Sequence, residues 1–429
     1  MIKKLVNHPL AVIFFTVFVD LLGFGILIPV IPQLLANPHS QYFLLPNGWS
    51  VAQGYILLGF LTAIFPFMQF LATPILGQLS DRYGRKKLLA ISLFGTCLSY
   101  IIFAYGIITK NILVLFLARG FDGITGGNIA VAQAAIADVT TPQTRAKNFG
   151  LVGAAFGLGF IIGPYLGGKL SDPAVVSWFN AATPFWFAAI ISFLNVLSVI
   201  FFFPETLKHR VAEIHIKWTQ SVKNIIRAFN AKHLRPLFVT TFLFQAGLGF
   251  FITFFSVFLI HKFGFSQGNI GDFFSYAGLW IVITQLLITR KVSVRFSEAQ
   301  VLRVSLIAMS MGVLLFFFPK VWWQLLIVVP FFGIPNGLNQ ANIPGLISRS
   351  AGVTIQGEVL GINSSLQALA QTIPPVIAGY IAANLNPEDP ILVSSIVIFF
   401  AWLTFMLFYK PYIAGKNEIF GKGGEVIYG

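Results

Sequence analysis

Residues 150–168, GLVGAAFGLGFIIGPYLGG, decide the fold because they combine a long uncharged run with the poorest helix formers. The nineteen positions contain seven glycines and one proline, but no Asp, Glu, Lys or Arg. In a helix in water, an interior glycine costs about 1 kcal/mol relative to alanine and an interior proline about 3 kcal/mol. The stretch is also too apolar for an exposed loop. It therefore predicts a helix whose surroundings are not water.

The composition of the whole chain indicates that these surroundings are lipid. Of the 429 residues, 56% are hydrophobic, 10% are charged and 47 are phenylalanine. The mean hydropathy is +0.82. Soluble domains carry about 25% charged residues, so in water this chain would leave much of its apolar surface uncovered. We predict an all-α integral membrane protein.

Twelve stretches are apolar and long enough to cross a hydrocarbon core, which takes about 20 helical residues. The first carries Asp20 and has no small-residue cleavage site, so we expect a retained span rather than a signal peptide. We predict six-span bundles over 1–203 and 235–412, joined by a linker over 204–234 and followed by a tail over 413–429. The spans, numbered in chain order, cover about 10–35, 51–79, 88–108, 111–138, 147–170, 183–203, 235–262, 267–289, 299–319, 321–347, 357–384 and 389–412.

The distribution of charge predicts the orientation in the membrane. The formal net charge is +14, and if both termini lie on one side, 23 of the 28 Lys and Arg residues fall on that side. Cytoplasmic loops carry such an excess of positive charge. We therefore expect both termini in the cytoplasm and the protein in the plasma (inner) membrane. This orientation explains the positive charge without nucleic acid as a partner.

The linker predicts an amphipathic helix on the cytoplasmic membrane surface. Its apolar side chains recur at helical spacing, and Lys223 and Arg227 lie off that stripe. A plain connection between the two bundles is the simpler interpretation. The apolar residues are Trp218, Val222, Ile225, Ile226 and Phe229.

The aqueous segments contain no signature of an enzyme or of a metal or cofactor site. They lack a phosphate loop, a nucleophile elbow and a pair of catalytic carboxylates. The six histidines have no ligand spacing, and the single cysteine, Cys97, lies within span 3. We expect no enzymatic activity, no metal and no cofactor.

The two halves of the chain are similar to each other. Shifted by 211 positions, residues 150–168 fall on GINSSLQALAQTIPPVIAG, residues 361–379, with two glycines and a proline matched in corresponding spans. Shifted by 213 positions, GQLSDRYG at 77–84 falls on RKVSVRFS at 290–297. We infer a duplicated six-span unit. Such repeats build secondary transporters, whose sites lie at the repeat interface near mid-membrane.

Four motifs in the first half carry a resemblance to a known family. GQLSDRYGRKK after span 2 matches G-x-L-x-D-R-x-G-R-K at each specified position, and RGFDGITGG in span 4 carries R-x-x-x-G-x-x-G. DLLGFGILIPVIP in span 1 is similar to D-x-x-G-x-G-x-x-x-P-x-x-P. These patterns, with G-x8-G-x3-G-P-x2-G-G in span 5, resemble the major facilitator superfamily and its twelve-span drug–proton antiporters, which include tetracycline exporters. The span 5 motif residues are Gly150, Gly159, Gly163, Pro164, Gly167 and Gly168.

The resemblance implies two pseudo-symmetric six-helix bundles around a central cavity that opens alternately to the two sides. It implies efflux of small amphiphilic organic compounds by proton-coupled antiport, with substrate, protons and the lipid bilayer as partners and a monomer as the working unit. An importer or metabolite exchanger of the same fold stays open as an alternative. A receptor or scaffold would not need charges within its spans.

Three charged residues lie within predicted spans: Asp20, Arg119 and Asp122. A charge at mid-span costs at least about 2.5–3.5 kcal/mol and by default indicates function. Arg119 and Asp122 lie one turn apart on one face of span 4, and one arginine cannot neutralise two acids. We predict that the three residues couple transport to protons, with Asp20 as the carrier. The alternative for Arg119 and Asp122 is a structural ion pair.

Spans 7 and 10 offer amides rather than charges, amid many phenylalanines. A lipophilic pocket with amide hydrogen-bonding groups suits an amphiphilic, neutral or cationic organic compound. The resemblance places spans 1, 4, 7 and 10 around the central cavity. The amides predicted to line that cavity are Gln245, Asn336, Asn339, Gln340 and Asn342.

The motif after span 2 is predicted to form a cytoplasmic latch. The resemblance implies that Asp81 faces the N-terminus of span 11 and that Arg85 pairs with Asp138, closing the cytoplasmic side when the cavity faces outward. A topology signal would explain the basic residues but would not require the acid or the glycines. The predicted latch residues are Gly77, Asp81, Arg82, Gly84, Arg85 and Asp138.

A stripe of glycines follows one face of span 5. Gly159, Gly163 and Gly167 recur at a spacing of four, and in lipid the close approach of helix backbones supplies packing. The family's arrangement implies that this stripe contacts span 8, although glycines that serve only packing would explain it equally well. Asp272, early in span 8, is expected to be structural because an acid suits a helix N-terminus.

Overall fold

The structure, a computed structural model, is helical throughout its regular elements. It describes residues 9–140, 145–207, 219–231, 233–350 and 356–410, and those ranges contain no strand. Ten of the described helices are long and apolar enough to cross a membrane. Two further helices, Arg145–Leu170 and Trp322–Ser350, lie at the positions predicted for spans 5 and 10. The prediction of an all-helical membrane protein is confirmed.

The spans agree with the predicted stretches to within a few residues. They are formed by Pro9–Leu35, Val51–Tyr83, Arg85–Ile108, Ile112–Asp138, Arg145–Leu170, Thr183–Phe202, Arg235–Phe263, Gln267–Ser293, Glu298–Phe317, Trp322–Ser350, Gln356–Asn384 and Asp389–Phe408.

Span 4 is broken where the sequence predicts one continuous helix. Its two parts are Ile112–Thr125 and Asn128–Asp138, and the break lies at Gly126–Gly127. A Cβ atom on Gly127 would lie 2.7 Å from Leu76 Cδ1 and 3.1 Å from Thr73 Cα, both in span 2. The glycines therefore let span 2 pack against the break.

Span 8 also departs from a regular α-helix. Its α-helix Gln267–Ile283 continues through a π-helical turn, Thr284–Ile288, into Thr289–Ser293. A Cβ on Gly337 of span 10 would lie 2.8 Å from Thr284 Cβ, so span 10 approaches span 8 closely at this turn. π-helical turns are rare and are often found at functional sites.

The linker forms the predicted helix over Gln220–Asn230. Val222, Ile226 and Phe229 are exposed, whereas Asn224 is buried and donates a hydrogen bond to Ser365 Oγ at 3.1 Å. The linker helix thus turns a polar face toward span 11. Trp218 lies outside the described residues.

Contacts between residues group the chain into two units. Unit 1 comprises 1–218, 252–279 and 375–388, and unit 2 comprises 219–251, 280–374 and 389–429. Unit 1 thus holds the first six spans and parts of spans 7, 8 and 11. The sequence division into 1–203 and 235–412 stays a prediction.

The core of unit 1 joins five of its first six spans. Spans 1, 3, 4, 5 and 6 each contribute a fully buried aliphatic side chain to one cluster: Val17, Leu93, Val131, Ala155 and Val199. This packing sets the positions of the polar residues that the same spans carry.

The glycine stripe of span 5 packs against span 1. A Cβ on Gly163 would lie 2.7 Å from the Leu22 carbonyl oxygen and 2.8 Å from Gly25 Cα. Corresponding atoms on Gly159 and Gly167 would also meet span 1, 2.6 Å and 2.5 Å from its nearest atoms. The expectation that this stripe contacts span 8 is wrong. Of Gly150, the first residue of the motif, the structure describes only the helical backbone.

Span 8 instead contacts the neighbouring face of span 5. A Cβ on Gly168 would lie 3.1 Å from Gly271 Cα, and one on Gly271 would lie 2.5 Å from the Pro164 carbonyl oxygen. Ser275 Oγ donates a hydrogen bond to the Ile161 carbonyl oxygen at 2.7 Å. The motif therefore provides two faces, one for each neighbouring helix.

We expect Gly163→Ala to destabilise the folded protein by about 1–3 kcal/mol, because its methyl group would meet backbone that cannot move aside. Gly153→Ala is the matched control, since a Cβ there would meet no atom within 4 Å. Both free energies can be measured by unfolding the purified protein in detergent. Equal losses in the two variants would contradict the close contact with span 1.

Candidate functional site

Span 4 contains a buried ion pair. Arg119 Nη1 lies 2.8 Å from Asp122 Oδ2, and the two side chains are 5% and 7% exposed. The guanidinium carbon lies 4.4 Å from the centre of the Phe65 ring in span 2, which adds a cation–π contact. One of the two predicted intramembrane acids is therefore neutralised by the arginine on its own helix.

Asp20 in span 1 is the second acid, and it forms no ion pair with any described residue. Its Oδ2 atom is buried and has no hydrogen-bond partner among the described residues. Its polar neighbours are Asp122 and Asn128, which lies at the start of the second part of span 4. Both amide atoms of Asn128 likewise lack a partner in the described part of the chain. A carboxyl group with no cation beside it can gain or lose a proton without breaking an ion pair.

Tyr100 of span 3 joins this group, and sequence reasoning missed it. The side chain is buried, and its hydroxyl lies where a Cβ atom of Gly23 would be. Its surroundings include Asp20, Arg119 and Asp122. The sequence offers one signal for this contact, namely Gly23, three residues after Asp20. Only a residue without a side chain leaves room for the Tyr100 hydroxyl there.

A small cavity within unit 1 borders the ion pair. Its lining includes Ser99, Tyr100, Arg119 and Asp122. Arg119 Nε is buried and makes no hydrogen bond within the described ranges. Spans 3 and 4 contribute the polar groups of this cavity, and its lining is completed by the apolar side chains of Leu27, Phe103, Ala118 and Phe185.

The loop after span 2 forms an ion-pair cluster around Arg85. Arg85 lies 2.6 Å from Asp81 and 3.1 Å from Asp138, and it also donates a hydrogen bond to Ser80. The expected contact between Arg85 and Asp138 is therefore present. Span 11, whose N-terminus Asp81 is expected to face, begins at Gln356, directly after residues 351–355, which lie outside the described ranges. That contact of Asp81 stays a prediction.

The other predicted latch residues differ in their surroundings. Arg82 is exposed, and its guanidinium lies 5.3 Å from the centre of the Tyr83 ring. A Cβ on Gly77 would meet no atom within 4 Å. Gly84 has φ +98° and precedes the first residue of span 3. Of Gly77 and Gly84, only Gly84 has a backbone conformation that favours glycine.

Four of the amides of unit 2 remain candidates for the cavity. Gln245 of span 7 donates a hydrogen bond to Gln340 of span 10 at 3.4 Å. Asn336 is buried, and its Oδ1 atom has no partner among the described residues. Asn342 is also buried and donates to the Leu338 carbonyl of its own helix at 2.7 Å.

Asn339 is held by span 9 instead. It is fully buried, and it accepts a hydrogen bond from the Ser305 hydroxyl and donates one to the Ser305 carbonyl. Both ends of the amide are thus used in packing span 10 against span 9. We no longer expect Asn339 to line the cavity.

Asp272 at the start of span 8 has a partner that the sequence did not indicate. It lies 2.8 Å from Lys169 Nζ of span 5, and both side chains are partly exposed. The ion pair lies one residue beyond the close contact of Gly168 with Gly271. Among the described residues, no group of three or more His, Cys, Asp or Glu is placed to hold a metal ion.

Arg119→Met should destabilise the protein by about 3–5 kcal/mol, because it leaves the Asp122 carboxylate buried without a cation. Adding Asp122→Asn removes that charge and should restore most of the lost stability. Unfolding of the single and double variants in detergent measures both effects. If the double variant were as unstable as Arg119→Met, the pair would not account for the loss.

Comparisons with known proteins agree on one family. A sequence model described as Major Facilitator Superfamily matches residues 13–290 and 237–426. The tetracycline resistance protein, class H, of Pasteurella multocida is 31% identical over 376 residues, covering 87% of this chain and 89% of that protein. Multidrug resistance protein 2 of Bacillus subtilis (strain 168) is 29% identical over 407 residues, covering 92% and 94%. The crystal structure of the human organic anion transporter MFSD10 is similar with a TM-score of 0.71 at 22% identity, covering 92% and 98% of the two chains.

Proposed function

Because the chain belongs to the Major Facilitator Superfamily, we propose that it exports small amphiphilic organic compounds in exchange for protons, by alternating access. The observation that carries the proposal is the buried Oδ2 atom of Asp20, which has no hydrogen-bond partner among the described residues, together with the ion pair of Arg119 with Asp122. The names of the relatives, which state tetracycline and multidrug resistance, support efflux as the direction.

In this proposal Asp20 carries the proton. When the site faces the acidic exterior, the carboxyl group binds a proton and the substrate leaves. When the site faces the cytoplasm, the proton leaves and the substrate binds again. Asp122 stays paired with Arg119, 2.8 Å away, while Asp20 gains and loses the proton.

The substrate class follows from the side chains of spans 7 and 10. Gln245, Gln340 and Asn336 offer hydrogen-bonding groups without a formal charge. The same two spans also carry aromatic side chains, among them Phe251 and Phe332, whose rings stack with centres 4.5 Å apart. Aromatic rings attract cations as well as apolar groups. We propose neutral or cationic aromatic compounds as substrates. We do not expect charged sugars or nucleotides to be transported.

The Arg85 cluster serves as a latch in this cycle. Its contacts to Asp81 and Asp138 join the end of span 2, the start of span 3 and the end of span 4. We propose that the working unit is a monomer and that the two six-span halves of the sequence move as its bodies. The chain is a multi-pass membrane protein, and we place both termini in the cytoplasm.

Proton-driven uptake into inverted membrane vesicles tests the proposal, with tetracycline and ethidium as probes. The wild-type protein should concentrate at least one of them when a proton gradient is imposed, and Asp20→Asn should abolish this uptake, because its side chain cannot change charge. Exchange of labelled for unlabelled probe without a gradient should survive in Asp20→Asn. Asp172→Asn, which alters an acid in the loop after span 5, is the control and should transport normally.

Concentrative uptake by Asp20→Asn would exclude Asp20 as the carrier. Asp122 would then be the remaining acid for that role. Absence of uptake of both probes by the wild-type protein, at normal levels in the membrane, would contradict the proposed substrate class.

The topology can be tested by reporter tags read from each side of the membrane. Tags within 208–218 and at the C-terminus should be accessible only from the cytoplasm, and a tag within 38–49 only from outside, because most basic residues lie on the side of the termini. A C-terminal tag accessible from outside would contradict the proposed orientation.

A further inference from the structure

Glu205 lies just after span 6, yet it contacts the start of span 3. Its Oε1 atom accepts the Arg85 backbone N–H at 2.9 Å, and its Oε2 atom accepts the Lys86 N–H at 3.3 Å. The first N–H groups of a helix have no partner within the helix, and a carboxylate placed there also interacts favourably with the helix dipole. Gly84, at the cap position, has no side chain to serve them. Glu205 therefore caps span 3 from 120 residues away.

The conformation of Gly84 fits this cap. Its φ of +98° is one that residues other than glycine rarely adopt. A Cβ atom on Gly84 would meet the Glu205 carboxylate, with Cδ only 2.9 Å away. The glycine of the loop motif thus gives the turn its shape and leaves room for the carboxylate.

The residue after Glu205 contacts the other side of the same cluster. Thr206 is buried, and its hydroxyl donates a hydrogen bond to Asp138 Oδ2 at 3.2 Å. The same oxygen lies 3.1 Å from Arg85 Nε. Glu205 therefore accepts a hydrogen bond from the backbone of Arg85, and the next residue, Thr206, donates one to the acid that Arg85 contacts.

We propose that Glu205 is a positioning residue of the latch, and that it acts through Arg85. The Arg85 side chain is buried, whereas Asp81 and Asp138 are partly exposed, and a partly exposed ion pair contributes little when a long side chain must be ordered to form it. Arg85 has to reach two acids at once, and a capped helix start fixes the point from which its side chain extends. Thr206 fixes the position of Asp138 in the same way. This inference rests on the proposed transport cycle, in which Arg85 closes the latch.

A consequence is that the first linker residues are part of the latch. Any movement of the linker away from span 3 removes the cap and frees Arg85. The linker then does more than connect the two halves, because the contacts of Glu205 and Thr206 form only when the latch residues Arg85 and Asp138 are in place.

Two measurements on the full-length protein test this inference. The first is hydrogen exchange of the peptide that contains Arg85 and Lys86, which needs no substrate. Glu205→Ala should speed exchange of these amides at least about tenfold, and Glu205→Gln, which keeps the acceptor oxygens in part, should speed it less. Glu388→Ala, a change of another carboxylate that pairs with His261, should leave this peptide unchanged.

The second measurement is initial uptake of tetracycline or ethidium into inverted vesicles. Glu205→Ala should lower Vmax about three- to tenfold with KM unchanged, since the cap lies outside the proposed substrate site. In an Arg85→Ala background, Glu205→Ala should have no further effect, because its influence passes through Arg85. Glu205→Gln should recover part of the lost Vmax.

Unchanged hydrogen exchange in Glu205→Ala would overturn the cap, whatever the transport result. Faster exchange with normal Vmax, or losses that multiply in the double variant with Arg85→Ala, would overturn the positioning role. If the wild-type protein transports neither probe, the proposed substrate class fails and with it the transport assay. The exchange measurement still decides whether Glu205 caps span 3.

Discussion

Close backbone contact between span 1 and span 5 is the constraint on which the rest of unit 1 depends. Helices in lipid gain little by covering apolar surface, so their packing relies on contacts between surfaces that fit closely. Gly159, Gly163 and Gly167 leave no side chain between the two helices, and the approach extends to the backbone of Gly25. This contact fixes the height and rotation of span 1. Asp20, which lies on that span, is thereby held beside the broken part of span 4.

The buried charges form a second constraint, because lipid offers no water to neutralise them. Arg119 and Asp122 satisfy each other within one turn of span 4. Among the described residues Asp20 has no such partner, and its neighbours are an amide, a second acid and the buried Tyr100. One fixed pair beside one unpaired acid is an arrangement that can change its net charge by one without rearranging an ion pair. Proton coupling requires that property.

The two ends of unit 1 are held by different chemistry. At the end of spans 2 and 4, Arg85 contacts two acids, and residues that follow span 6 support it through backbone and hydroxyl hydrogen bonds. At the other end, spans 5 and 8 meet through glycine backbones and the ion pair of Lys169 with Asp272. Partly exposed ion pairs at both ends suit contacts that have to form and break.

The sequence by itself determined the all-helical membrane fold, the approximate limits of the spans and the three charged residues within them. These features are local, since about twenty apolar residues cross the membrane wherever they occur. The sequence also indicated the contact of Arg85 with Asp138, because the motif after span 2 resembles a known one. It could not say which helix a smooth face meets. A period of 3.6 residues defines the face but not its partner, so the glycine stripe was assigned to span 8 although it packs on span 1.

Only the tertiary structure decided the remaining partners. Asn339 turns toward Ser305 of span 9, Tyr100 occupies the space beside Gly23, and Glu205 caps a helix that begins 120 residues earlier. Each of these contacts joins residues that are distant in the chain and carry no shared local pattern. Their partners are set by how whole helices pack, and this depends on all the side chains between them at once.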